Sequence, residues 1–387
     1  MKKNLFMTGL LALGMTFGFT ACSSDDKNEN NEINIDNAAD LDYSSAYGEQ
    51  WANYMTVVSG LLKTDATTLY NDWANSYNGG SSYATLFKNH DNDEYGSAIN
   101  CVETIFDGCA DIASEVGSSK IGEPYALYVA GKTTDALYAV ESWYSWHSRD
   151  DYSNNIRSIR NAYYGSRDGS VNANSLSAAL AKVNSSLDAT AKEKIQATIN
   201  AILAIPQPFR NNINSAEAKN AMEVCGDLES FITDELKPYF QQNINDEATL
   251  NPIIKQYVDG VVVPTYKDLM DANTALDNAV KAFKANPSNS TFSACANAWL
   301  TAREPWESSE AFLFGPVADK GLDPNMDSWP LDQERIANIL KSQDFTDLNW
   351  SGEYDEDNEE IAAHQEVRGF HTLEYLVFKD GQARTVK

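Results

Sequence analysis

Arg368-Gly369-Phe370-His371-Thr372-Leu373-Glu374-Tyr375-Leu376-Val377-Phe378 lies close to the end of the 387-residue chain. The stretch is apolar and compatible with a helix, apart from one glycine near its start. His371 and Glu374 are three positions apart, and on an α-helix residues i and i+3 share a face, with Cβ atoms about 5–6 Å apart. An imidazole and a carboxylate so placed can hold one cation, or hold each other as a buried ion pair. Phe370, Leu373, Leu376 and Val377 are expected to pack against other helices. Gly369 leaves room for a close neighbour beside the histidine. Two donors do not make a metal site, which takes three or four protein groups, so the remaining partners must come from elsewhere in the chain.

Outward from this stretch the pattern is helical almost everywhere. Trp51, Tyr54, Val58 and Leu61 recur at three- and four-residue steps, as do Ala98, Val102, Ile105, Phe106 and Ile112. Glu123-Pro124 opens a further helix, expected to run to about Trp146, with proline in the first turn where its missing N–H costs nothing. Helices are expected over Ser148–Tyr164, stopped by Gly165, over Leu176–Ile205 as two pieces, over Ala216–Phe240, and from Ile253 onward with a kink at Pro264. Asp327 to Pro330 reads as a loop. Runs that alternate with a period of two are nearly absent. The chain is therefore expected to be all-α, two packed four-helix-bundle-like halves. The polar stretch Gln241–Leu250 suggests a first half at residues 41–245 and a second at 246–387.

Two further stretches collect polar residues amid aromatics. Glu141, Ser145 and Ser148 fall at i, i+4 and i+7, and Ser148-x-x-Asp151 resembles a capping start. Arg303, Glu307 and Glu310 fall at the same spacing beside Trp299, Trp306 and Phe314. Carboxylates in such a setting are costly to bury unless paired or metal-bound. Arg303 with Glu307 as a plain ion pair is the structural alternative. His364 would share the His371 face on an unbroken helix, but Gly369 intervenes. Cys101, Cys109, Cys225 and Cys295 form no Cys-x-x-Cys pair, which argues against a zinc-thiolate site.

The N-terminus reads as a targeting segment. Lys2 and Lys3 precede the apolar run Leu5–Phe19, and Ala21-Cys22 is followed by Ser23-Ser24-Asp25-Asp26. Residues 1–21 are read as a lipoprotein signal, Cys22 as the lipidated residue, and the Asn- and Asp-rich residues 22–40 as a flexible tether. The expected location is the bacterial outer membrane, on its periplasmic or surface face. A formal charge of -27 argues against nucleic acid as a partner, because phosphates are repelled.

Gly369-x-His371-x-x-Glu374, the stretch Arg303–Pro316 and the stretch Glu141–Gly165 together resemble the imelysin family. The resemblance covers most of residues 41–387. It implies two four-helix bundles with the histidine and glutamate near their interface, and an activity described for the family both as metallopeptidase and as association with iron uptake. The order differs from the family's usual one, in which the Gly-x-His-x-x-Glu helix lies mid-chain, and this points to a circular permutation. His-Glu-x-x-His is absent, which weakens the peptidase reading. The expectation is therefore a bound metal ion, iron before zinc, with His371, Glu374 and Glu310 as ligands and Arg303, Glu307, Glu141, Ser145 and Asp151 around them. Envelope iron-uptake components are the expected partners. A zinc peptidase and a metal-free structural lipoprotein are the alternatives. A ligand histidine must lose its proton, so affinity is expected to fall below about pH 6.

Overall fold

The computed structural model describes residues 41–350 and 352–387. The signal segment, Cys22 and the tether lie outside the described residues. The described chain is all-α apart from one small hairpin that pairs Phe378–Lys379 with Gln382–Ala383.

Two groups of helices share one continuous core. In the first, Gly48–Ala74 packs along Val263–Ala285, which turns back into Asn289–Glu307, and Gly369–Val377 packs against the first and last of these. In the second, Ala98–Glu115, Ser148–Tyr164, Ser185–Leu203 and Ala216–Phe231 pack together. The groups meet where Asn289–Glu307 and the short turn Glu310–Phe312 lie on Ser148–Tyr164 and Ala98–Glu115. Helix Gly48–Ala74 comes from one side of the polar stretch 241–250 and its main partner Val263–Ala285 from the other. The first packing group therefore draws on sequence from both sides of residue 245, while the helices of the second all precede it.

The His371 helix is the most enclosed element, every residue of Gly369–Val377 being buried. Three large side chains peg it. The Trp51 indole N–H donates to the Leu376 carbonyl at 2.9 Å, the Trp299 indole to the Phe370 carbonyl at 2.9 Å, and the Tyr54 hydroxyl to the Val367 carbonyl at 2.7 Å. Each ring buries its apolar body in the core while its polar tip satisfies a carbonyl that has lost water. Gly369 adopts φ +85, and a Cβ there would come within 2.5 Å of the Met326 carbonyl oxygen. Only glycine lets the helix start directly against the Leu322–Asp327 helix.

The expected helix from Glu123 to Trp146 is instead broken. It stops at Val129, Gly131 takes φ +80, a second piece spans Thr133–Tyr138, and residues 139–147 are turns. Ser142 and Trp146 have positive φ, which an L side chain rarely adopts. Pro264 falls in the first turn of Val263–Ala285, just after a π-helical segment at Val258–Val262. Two other π segments occur at Val116–Ile121 and Ile232–Leu236. The four cysteines named above are buried free thiols. Among the described residues, no helix is long and apolar enough to cross a membrane.

The described ends touch. The Ser45 N–H donates to the Lys387 carbonyl at 3.0 Å. Asp42 receives Lys387 Nζ at 2.6 Å and Arg384 Nη1 at 2.8 Å.

Candidate metal centre

His371 is fully buried, and both its ring nitrogens face carboxylates. Nδ1 lies 3.0 Å from Glu374 Oε2, one helical turn away. The other Glu374 oxygen accepts the Ser145 backbone N–H at 2.7 Å. Nε2 lies 3.1 Å from Asp327 Oδ1 and 3.3 Å from Glu141 Oε1. The Trp329 ring stands edge-on to the imidazole, 5.0 Å between centroids. One donor atom each from Glu141, Asp327 and His371 lie within 4.8 Å of one another.

Arg303 occupies the middle of this cluster. It is fully buried on Asn289–Glu307 and meets four carboxylates: Glu307 at 2.5 Å, Glu141 at 3.4 Å, Asp151 at 3.5 Å, and Asp327. Its Nη2 is also 3.3 Å from His371 Nε2. Asn155 ties Glu307 from the opposite side with its amide at 2.5 Å. Asp151 accepts from the Ser142 hydroxyl and faces His147 Nδ1 at 2.9 Å. Lys120, on the π segment Val116–Ile121, reaches Glu141 Oε2 at 3.1 Å and stands 3.9 Å from Glu310. A cavity of about 260 Å³ opens beside these groups, lined by Glu115, Lys120, Glu141, Glu310, Asp323 and Asp327 among others.

The electrostatics follow from burial set against charge. For His371, burial and the adjacent Arg303 push the imidazole down, but Asp327 and Glu141 outweigh them and hold it well above the usual histidine range. Burial would raise Asp327, yet Arg303 and His371 keep its carboxyl far below the usual range. Glu141 is likewise held down, burial being overcome chiefly by Lys120 and His371. The cavity-lining acids behave oppositely. Burial, reinforced by Asp327 and Glu115, pushes Asp323 up to about 7. Glu310 is raised well above the carboxylate range by burial, with Glu307 and Glu115 adding repulsion against the pull of Lys120. Burial also raises Glu307, beside Arg303, to about 8, so the site combines carboxyls held ionised by adjacent cations, Glu141 and Asp327, with others pushed towards the protonated form, Glu307, Glu310 and Asp323.

The stretches singled out in the sequence do converge here, though not always as their spacing implied. Glu141, Ser145 and Ser148 were expected on one helical face, but the segment is a chain of turns. Ser145 contributes its backbone N–H to Glu374, and Ser148 donates its hydroxyl to the Glu141 carbonyl at 2.5 Å. Asp151 does not cap its helix, whose N-cap carries no side-chain bond; it faces Arg303 and His147. Arg303 and Glu307 share a helix face, while Glu310 lies beyond the helix end in Glu310–Phe312. Glu374 contacts only Nδ1 of His371, the nitrogen turned away from Asp327 and Glu141. Glu310 groups with Glu307 and Asp327 as a second set of three donors within 4.8 Å. His364 stands apart, its Nδ1 on the Asp347 carbonyl at 2.7 Å. Asp327 was read only as the start of a loop. Its one sequence signal is an acidic residue two positions from a tryptophan. Lys120, Glu115 and Asp323 carried none.

An imidazole nitrogen and two carboxylate oxygens make a donor set that suits a divalent first-row metal, and the guanidinium now among them shows that the position accepts positive charge. Comparisons with other proteins agree with this architecture. The chain resembles the crystal structure of an imelysin peptidase from Bacteroides ovatus, with 59% identity and a TM-score of 0.89, over 91% of this chain and 100% of that one. It is also 33% identical over 128 residues to Iron-regulated protein A of Synechococcus elongatus, a match spanning 33% of this chain and 32% of that protein. Imelysin's family model matches residues 25–231 and 262–387, which include His371, Glu374, Arg303, Asp327 and Glu141. The buried histidine, its two carboxylate neighbours and the helices that place them therefore belong to a member of the imelysin family.

Proposed function

We propose that this protein is a lipid-anchored cell-envelope protein that captures a metal ion, with iron as its cargo. The observation that carries this reading is the convergence of Glu141, Asp327 and His371 within 4.8 Å beside a cavity of about 260 Å³. Glu374 supports the same reading from behind. By accepting from Nδ1 it fixes the proton there and leaves Nε2 to act as donor once deprotonated, and the Ser145 N–H holds Glu374 in turn. Its role is thus positioning, and Asp327 takes the place first assigned to it among the ligands. Mixed imidazole and carboxylate donors suit iron or zinc. The curated relative named for iron regulation favours iron.

Capture requires the Nε2 proton to leave, and Asp327 and Glu141, which face Nε2 and line the cavity, give it a path. Because His371 is held above its ordinary range, affinity should begin to fall at a higher pH than the value near 6 expected of an unperturbed histidine. The test is calorimetric titration with ferrous, ferric and zinc ions on the wild type and on a His371→Ala, Glu374→Ala double variant. Tight binding lost in the double variant supports capture. Equal, weak binding by both would reduce the affinity to diffuse attraction and leave the cluster as a structural clasp. Chelator-sensitive cleavage of a protein substrate that His371→Ala abolishes would favour peptidase action instead. Anchoring has its own test: Cys22→Ser should abolish lipid labelling and release the protein from the membrane fraction, and unchanged labelling would refute it.

A further inference from the structure

The cavity holds more acidity than one ion needs. Glu310 is only 6% exposed and lines the cavity. Among the described residues no group donates a hydrogen bond to it, and its nearest cation, Lys120 Nζ, is 3.9 Å away, beyond hydrogen-bond reach. A carboxyl left this way is costly to keep ionised unless a cation joins it. Its neighbours supply the rest of a site, since Glu307, Glu310 and Asp327 present one oxygen each within 4.8 Å of one another. Asp327 also belongs to the His371 set, so the two sets share a carboxylate, the arrangement by which a single aspartate bridges two ions.

We infer that the centre takes two metal cations, an inner one on His371, Glu141 and Asp327 and an outer one on Asp327, Glu307 and Glu310, with the Arg303 guanidinium, which meets Glu307 and Asp327, as the tethered cation that the outer ion displaces and Lys120, 3.9 Å from Glu310, as a second competitor. This deepens the capture reading and rests on it. The outer set offers oxygens only, so it favours harder ions than the inner set with its nitrogen. Each set has two members that line the cavity, Glu141 with Asp327 and Glu310 with Asp327, so both positions are open to an entering ion.

Cobalt(II) is the probe, because its binding is counted by native mass spectrometry and read by electron paramagnetic resonance. The wild type should bind two cobalt ions, with a signal weakened by magnetic coupling through the shared carboxylate. Glu310→Gln keeps the side-chain shape and should bind one, with an uncoupled signal. Lys120→Met should retain two and bind the second about tenfold more tightly, the equivalent of roughly 1.4 kcal/mol of removed competition. Circular dichroism checks that each variant is folded. A wild type that binds one ion, lost in His371→Ala and unchanged in Glu310→Gln, overturns the second position and leaves single-ion capture standing. Two uncoupled ions, both kept in Glu310→Gln, also overturn it. A wild type that binds none overturns both.

Discussion

Replacing Arg303 with methionine tests whether the guanidinium holds the place of an ion. Methionine keeps a flexible apolar side chain and removes the charge. Arg303 is fully buried and meets Glu141, Asp151, Glu307 and Asp327. Removing one partner from a buried network of this kind costs about 3–5 kcal/mol, because the carboxylates left behind are uncompensated. For a chain of this size that is a fall in Tm on the order of 10 °C. The loss should shrink towards pH 5, since unpaired carboxylates can then take up protons. A metal ion should restore what the guanidinium supplied. At about one hundred times Kd, a ligand that binds only the folded state adds about 2.7 kcal/mol. The wild type should gain less at the same concentration, because there the ion has first to displace Arg303. Thermal unfolding by circular dichroism, with and without zinc, reads both proteins. If zinc stabilises Arg303→Met no more than the wild type, the guanidinium and the ion do not compete, and the cluster is a structural clasp.

Gly369→Ala should cost about 2–4 kcal/mol, since it forces a side chain to φ +85 and a Cβ against the Met326 carbonyl. It should also weaken metal binding by pushing Asp327 away from His371, and an unchanged Tm and titration would count against this. His147 is drawn down by burial but raised to about 9 by its bond to Asp151 and the nearby acids. A raised histidine stabilises the fold fully below its unfolded value near 6.5 and loses that contribution as pH rises through about 9, so His147→Asn should be about 2–3 kcal/mol less stable at pH 6 and near wild type at pH 10 by urea unfolding. For the permutation, the ends to be joined already touch through Asp42 and Lys387. The new opening belongs in the connection between Asn243 and Glu247, since Asn251 lies inside Glu247–Tyr257. Such a chain should fold with similar helicity, and an insoluble or molten product would argue against it.

The all-α class was legible because apolar spacing near 3.6 runs through almost every segment, and because Gly165 stops a helix as its left-handed backbone requires. The centre was half legible. Burial of polar residues beside tryptophan is costly, so such stretches point to a shared compensation. What spacing could not give was which atom of each residue does the work. Ser145 acts through its backbone N–H because positive φ at Ser142 and Trp146 bends the chain there, and helical periodicity holds no information about such turns. Asp327 was hidden for a different reason. It reaches His371 only because Gly369 lets two helices touch, a long-range contact that no local pattern encodes.

The π segment at Val116–Ile121 has a consequence for insertions and deletions. It is a wide turn set between Ala98–Glu115 and Gly122–Val129, and wide turns of this kind carry one residue more than the α-helix around them. Deleting a single residue there would let the run close into plain α-helix. Because the wide turn absorbs that residue, the helix beyond it would keep nearly its present phase, while the residues of the turn itself would be drawn back onto the α-helical path. Lys120 lies within that turn, and the Gly122–Tyr138 helices lead from it to Glu141. A one-codon deletion in this segment would therefore draw Lys120 away from Glu141 without touching the Gly-x-His-x-x-Glu motif. Relatives that keep the motif but lack the extra residue should differ from this chain in the cation their centre accepts.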